Sequence, residues 1–230
     1  MPRKLIHSAS IAETALLICR EKLQQAVAQR GRASLVLSGG STPLGLYALL
    51  AGSDLPWDHI TVFWGDERFV PHDHGDSNYG AARMVLLEPA GVPERNIHPW
   101  PISAEPELSA VRYAETITRE LGAEPLFDVT LLGLGEDGHT ASLFPGSAAL
   151  QAATLTAADR PAATEHARLT LTPRALSGSR TVLFLVSGEG KRAALQQLLG
   201  AGEADGNMVP GGMISAVNEL LILTDLDVSA

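Results

Sequence analysis

Apolar positions along this chain alternate between two patterns: longer stretches with helical spacing, and short solid runs that end on glycine or charge. Ile11, Ala15, Ile18, Leu23 and Val27 recur at roughly helical spacing and predict a helix over 10–29, with Ser10 and Glu13 as a capping box. Ser34-Leu35-Val36-Leu37 is a short apolar run stopping at Ser38-Gly39-Gly40, which predicts a buried strand. Thr42 as N-cap and Pro43 as first helical residue then open a helix through Leu50. A second strand, Ile60 to Trp64, runs into the polar Gly65-Asp66-Glu67-Arg68. A loop over 70–75 precedes a helix that starts at Asp76 or Ser77 and reaches about Leu87, and another helix covers 105–121. Phe127 to Leu132 is the third strand, leading into Gly133-Leu134-Gly135-Glu136-Asp137-Gly138-His139. Residues 151–166, rich in Ala and Thr and weakly periodic, read as a surface connection. Strands follow at 169–171, 181–186 and 220–223, with a helix from about Gly190 to Leu199 between the last two.

Strands alternating with helices predict an α/β fold of three layers, a mostly parallel sheet with helices on both faces. At 230 residues, with no repeat or linker, the chain reads as one domain over 1–230. In such sheets ligands bind beyond the carboxyl ends of the strands, so the polar or Gly-rich runs after the strands should meet at one edge.

Composition narrows the partners. A formal charge of −9 leaves no basic face for nucleic acid or an acidic membrane, but still permits a local cluster of donors for a small anion. The single cysteine, Cys19, excludes an internal disulfide and sits among core positions of the first helix. The N-terminal apolar run is broken by His7, Ser8 and Glu13 and makes a poor secretory signal, and no run has the length of a membrane span. A cytoplasmic protein, monomeric or weakly dimeric, is the expectation.

Ser38-Gly39-Gly40-Ser41-Thr42-Pro43 joins a strand to a helix N-terminus through two glycines and three hydroxyls. Such a turn suits a phosphate, through free N–H groups and the helix dipole, although a plain turn of small residues reads the same way. Gly133 to Gly138 matches the dinucleotide fingerprint, but Pro145 and Gly146 interrupt the helix that fingerprint must open. The fold is therefore Rossmann-like without a nucleotide site, and no cofactor is expected. Asp137-Gly138-His139 would place a histidine at the ligand edge with a carboxylate to fix its tautomer, or simply a histidine bonded within a turn. Arg68 sits directly after a strand, where it can steady an anionic charge. Lys191, at a helix start, opposes the dipole unless an anion is bound. Arg168 begins a strand and is uninformative alone. His72-Asp73-His74-Gly75-Asp76 fits no zinc spacing and has no cysteine partner, so no metal is expected.

In order along the chain, Ser38 to Pro43, Trp64 to Arg68 with Val70-Pro71 and Ser77-Asn78, Leu132 to Pro145, Arg168 to Thr172 and Gly188 to Lys191 resemble the 6-phosphogluconolactonase family, related to glucosamine-6-phosphate deaminase. The resemblance spans most of the chain and implies hydrolysis of 6-phospho-D-glucono-1,5-lactone to 6-phosphogluconate in the oxidative pentose phosphate pathway, without metal or organic cofactor. It implies His139 as general base, Arg68 near the reacting end, Asp66 orienting groups in the pocket and Asp137 behind His139. It also implies that Ser38, Gly39, Gly40, Ser41, Thr42, Arg168 and Lys191 hold the phosphate. A deaminase-isomerase would share the loop, Asp66 and His139, but Thr140 to Pro145 lacks that branch's glutamate. A non-catalytic sugar-phosphate sensor would not need His139. The run Asn207 to Ile214 matches the usual lactonase ending loosely and is expected to lie far from the catalytic residues.

Overall fold

The computed structural model describes residues 3–122, 127–161, 164–200 and 208–228. Its centre is a six-stranded, wholly parallel sheet of β1 (Arg3–His7), β2 (Ala33–Leu37), β3 (Ile60–Trp64), β5 (Phe127–Gly133), β8 (Ser179–Val186) and β9 (Glu219–Thr224), in the order β1-β9-β8-β5-β2-β3. Every residue of β2 and all but one of β8 are buried. Successive side chains point to opposite faces, so both faces are covered by helices, as the three-layer expectation requires. Helix α1 (Ile11–Arg30) packs on α2 (Thr42–Ala51) and on β2, β5 and β8.

β4 (Asp66–Arg68), β6 (Thr156–Asp159) and β7 (Arg168–Leu171) form a second, antiparallel sheet of order β4-β7-β6. It corrects two expectations: the polar run after β3 is a strand, and the 151–166 connection contains one, although its residues 162–163 lie outside the described set. Gly65 welds the two sheets together. Its N–H donates to Leu37 O at 2.8 Å, and its carbonyl accepts from Leu171 N at 2.8 Å. Helix α4 (Pro106–Leu121) packs on β6 and β7. The remaining helices are α3 (Asn78–Ala82), continued by a π-turn through Leu87, α5 (Pro173–Ser177) and α6 (Arg192–Gly200).

Two further local expectations fail. Ser10 makes no side-chain cap, because Ser8 Oγ accepts the Ser10 N–H at 3.1 Å and also bonds Thr14 Oγ1 at 2.8 Å. At α2 the N-cap is Ser41 and the helix begins on Thr42. The N-terminal residues, given no element from the sequence, form the edge strand β1.

The strand order reverses about β2: β3 lies on one side, and β5, β8 and β9 extend on the other. The carboxyl ends of β2 and β5 therefore flank the crevice where open α/β sheets bind ligands.

Candidate active site

At that crevice an open cleft of about 400 Å³ is lined by every sequence-expected site residue except Asp137. Ser38, Gly39, Gly40, Ser41 and Thr42 come from the β2–α2 turn, His139 from the turn after β5, Asp66 and Arg68 from β4, Arg168 from β7, and Lys191 from the turn before α6.

The β2–α2 turn is held from below by Tyr47, whose hydroxyl accepts the Ser38 N–H at 2.9 Å and donates to Ser38 O at 2.6 Å. Gly39 is required by close approach, since a Cβ there would lie 2.2 Å from Asn78 Oδ1. Ser38 Oγ is buried without a hydrogen-bond partner among the described residues, within the cleft lining.

Histidine 139 is placed by its own loop. Gly135 N donates to His139 O at 2.7 Å and Thr140 Oγ1 to Gly133 O at 2.8 Å, wrapping the turn back on β5. Asp137 Oδ1 accepts the His139 N–H at 3.1 Å and lies 2.6 Å from its Nδ1. With that nitrogen carrying the proton toward Asp137, Nε2 is left as the basic atom of the neutral ring. Burial pushes the Asp137 carboxyl up, but the hydrogen bonds from His139 outweigh it and hold it below the ordinary carboxylate value. The Phe144 ring lies tilted against the imidazole, with centroids 4.5 Å apart. Ala141 has φ +49, a left-handed conformation that a residue with a Cβ adopts at a cost. The same tight turn delivers Ser142 Oγ to Asp66 Oδ2 at 2.7 Å.

Asp66 and Glu67 are neighbours with different tasks. Glu67 is fully buried and accepts from Arg68 N, Asn78 N, Tyr79 N and Ser77 Oγ at 2.7–3.1 Å, tying β4 to the start of α3. Asp66 accepts from Ser142 and, at 3.4 Å, from Asn78 Nδ2, and borders the cleft. Burial raises the Asp66 carboxyl above its ordinary value, opposed by the Ser142 bond and by the charges of Arg68, Arg168 and His139.

Arg68 and Arg168 stand directly opposite each other across the β4–β7 ladder. Like charges in that position repel. Arg68 Nη1 donates to Asp76 O at 2.6 Å, whereas Arg168 Nε and Nη1 are buried with no hydrogen-bond partner among the described residues. Burial first, then the facing Arg68 charge, pull the Arg168 guanidinium below its ordinary value. Negative charge on a bound ligand would offset the repulsion, and acceptors at Arg168 would supply its missing bonds.

The run ending at Ile214 corrects the sequence expectation that it lies far away. Asn207 is outside the described residues, but Gly211 N donates to Gly138 O at 3.0 Å. Gly138 has φ +79, and a Cβ there would meet Val209 at 2.4 Å, so this segment backs the His139 turn. Sequence reasoning assigned no role to Tyr47, Glu67, Asn78 or Ser142, although the last three lie in the stretches Trp64 to Arg68, Ser77-Asn78 and Leu132 to Pro145 that carry the resemblance.

A family model described as glucosamine-6-phosphate isomerases/6-phosphogluconolactonase matches residues 7–222. The chain belongs to this family. Within the glucosamine-6-phosphate isomerase/6-phosphogluconolactonase family it is 43% identical, over 96% of its length and 93% of the relative's, to a 6-phosphogluconolactonase of Synechocystis. Its structure superposes on the 6-phosphogluconolactonase of Thermotoga maritima with TM-score 0.86 at 29% identity, covering 97% and 98% of the two chains. On that of Trypanosoma cruzi the TM-score is 0.87 at 29% identity, covering 97% and 94%. Members of this lactonase branch are ester hydrolases. Among the described residues no helix is long and apolar enough to cross a membrane.

Proposed function

We propose that this chain hydrolyses 6-phospho-D-glucono-1,5-lactone to 6-phosphogluconate, in the cytoplasm, as a step of the oxidative pentose phosphate pathway. One observation carries the mechanism: His139, with Nδ1 2.6 Å from Asp137, lies in the cleft that also holds the facing Arg68 and Arg168. His139 Nε2 takes a proton from water as the oxygen attacks the lactone carbonyl. Arg68 stabilises the oxyanion of the tetrahedral intermediate. When the ring C–O bond breaks, the imidazolium returns its proton to the departing ring oxygen. Asp137 keeps the ring in the working tautomer and supports its transient charge, and Asp66 accepts hydrogen bonds from sugar hydroxyls. The phosphate rests on the Ser38–Thr42 turn, Arg168 and Lys191. A lactone is an activated ester, so a positioned base and charge stabilisation are sufficient without a covalent nucleophile.

The test is a lactone assay, corrected for spontaneous hydrolysis, on wild type and His139→Ala. Enzyme-dependent turnover should be almost abolished in the variant while 6-phosphogluconate still binds. Unchanged turnover in the variant overturns the mechanism. Ammonia released by the wild type from glucosamine 6-phosphate, without lactone hydrolysis, would assign the deaminase reaction instead, and binding without turnover of either compound would make it a sensor.

A further inference from the structure

By spacing alone, His72-Asp73-His74-Gly75-Asp76 resembles no metal motif, and the structure separates its histidines. His72 is engaged elsewhere, with Nε2 2.9 Å from Trp100 O and its ring 4.6 Å from that of Tyr79. His74 and Asp76 instead meet His166, which is 90 positions from Asp76 and so beyond the reach of any local pattern. One ligand atom from each of the three lies within 4.8 Å of the others. His166 Nε2 is 3.1 Å from Asp76 Oδ2, and His74 Nδ1 is 3.8 Å from the same oxygen. The two imidazoles stand edge to face with centroids 5.4 Å apart.

Ligands held about 2.0–2.2 Å from a common ion are roughly 3–3.5 Å from one another. The His166–Asp76 pair already has that separation, and the His74–Asp76 pair reaches it by closing a few tenths of an ångström. To do so, His74 Nδ1 gives up the hydrogen bond it accepts from Asp76 N at 3.1 Å. Two imidazoles and one carboxylate suit zinc and its first-row neighbours, and offer too few oxygens for calcium or magnesium. All three side chains are accessible, at 44%, 52% and 22% exposure for His74, Asp76 and His166.

We propose that His74, Asp76 and His166 bind one divalent transition-metal ion of the zinc class at the rim of the cleft, with water completing its coordination. None of the three lines the cleft, and the hydrolysis described above does not use the ion. Its influence is positional. Asp76 O accepts from Arg68 Nη1, and His166 stands two residues before Arg168, so an ion here ties together the segments that carry both arginines. It also neutralises the Asp76 carboxylate, whose charge otherwise favours the Arg168 guanidinium.

The experiment is calorimetric titration of the metal-stripped whole chain with zinc chloride, with cobalt(II) as a coloured substitute followed by visible absorption. One equivalent is expected to bind. Removing a ligand by His166→Ala, or by the isosteric Asp76→Asn, should weaken binding at least about tenfold. The melting temperature without metal should stay unchanged, and His72→Ala should bind as wild type. Absence of stoichiometric binding overturns the site. So does binding that survives both ligand substitutions, or that His72→Ala removes.

Discussion

Asp66 and Asp128 are buried to the same degree, each 8% exposed, at opposite ends of the strands, and they are compensated in different ways. Asp128, at the amino end of β5, accepts from Arg30 Nη2 at 2.5 Å and from Ser34 N at 2.9 Å, with Arg180 Nε 3.3 Å away. Its charge is matched by contact. Asp66, at the carboxyl edge, touches only the neutral donors Ser142 and Asn78, while Arg68 and Arg168 act on it through space. Burial alone therefore does not mark a working carboxylate. What distinguishes Asp66 is a counter-charge placed nearby but left free to receive something else.

Asp66→Asn tests this contrast most severely. It keeps the shape of the side chain and should lower lactone turnover about 100-fold, close to 2.7 kcal/mol of barrier, with little change in melting temperature. If it costs more stability than loss of Asp128 does, the contrast is broken. Asp128→Ala should do the reverse, costing about 2 kcal/mol in urea unfolding and leaving kcat/KM nearly unchanged. The figure is below that for a fully buried pair because Arg30 and Arg180 are 33% and 34% exposed. Gly135→Ala puts a Cβ 2.1 Å from His139 Nδ1, and displacement of the imidazole should reduce kcat about tenfold with a normal melting curve.

The smallest effect is on the pH dependence of stability. Folding raises the Asp66 carboxyl above its ordinary 3.8, so the native state holds its proton longer than the unfolded chain. Wild type therefore loses stability as pH rises from that value through the raised one, and Asp66→Asn should lack this loss. Asp137, lowered by His139, has the opposite sign: its contribution is present above the ordinary value and lost as pH falls through the lowered one. Denaturation midpoints of wild type and each Asn variant between about pH 3 and 7 check both directions.

The large sheet was legible because β2 and β3 are largely apolar runs and β5 ends in one, each followed by a glycine-containing turn, a pattern that suits a strand covered on both faces. The same punctuation located the Ser38 and His139 turns. Of the small sheet only β7 was legible, at 169–171, since β4 and β6 are three and four residues long and read as charge and alanine. Glu67 had no role of its own in the sequence. Its burial becomes evident only when Asn78 and Tyr79, 11 and 12 positions on, bring their N–H groups to it. The backing of Gly138 by Val209 and Gly211 and the meeting of Asp76 with His166 are equally non-local, and no periodicity encodes them.

The position of β1 has a consequence for how the chain is made. Among the described strands its only neighbour in the sheet is β9, and Arg3 Nη2 donates to Gly212 O, 209 positions away. At ribosomal speeds of about 5–20 residues per second, β1 waits on the order of ten seconds for β9 to emerge. During that interval β2, β3 and β5 can already assemble. The edge of the sheet is thus among the last parts to be seated, and β1 acts as a latch that closes only once β9 has been made.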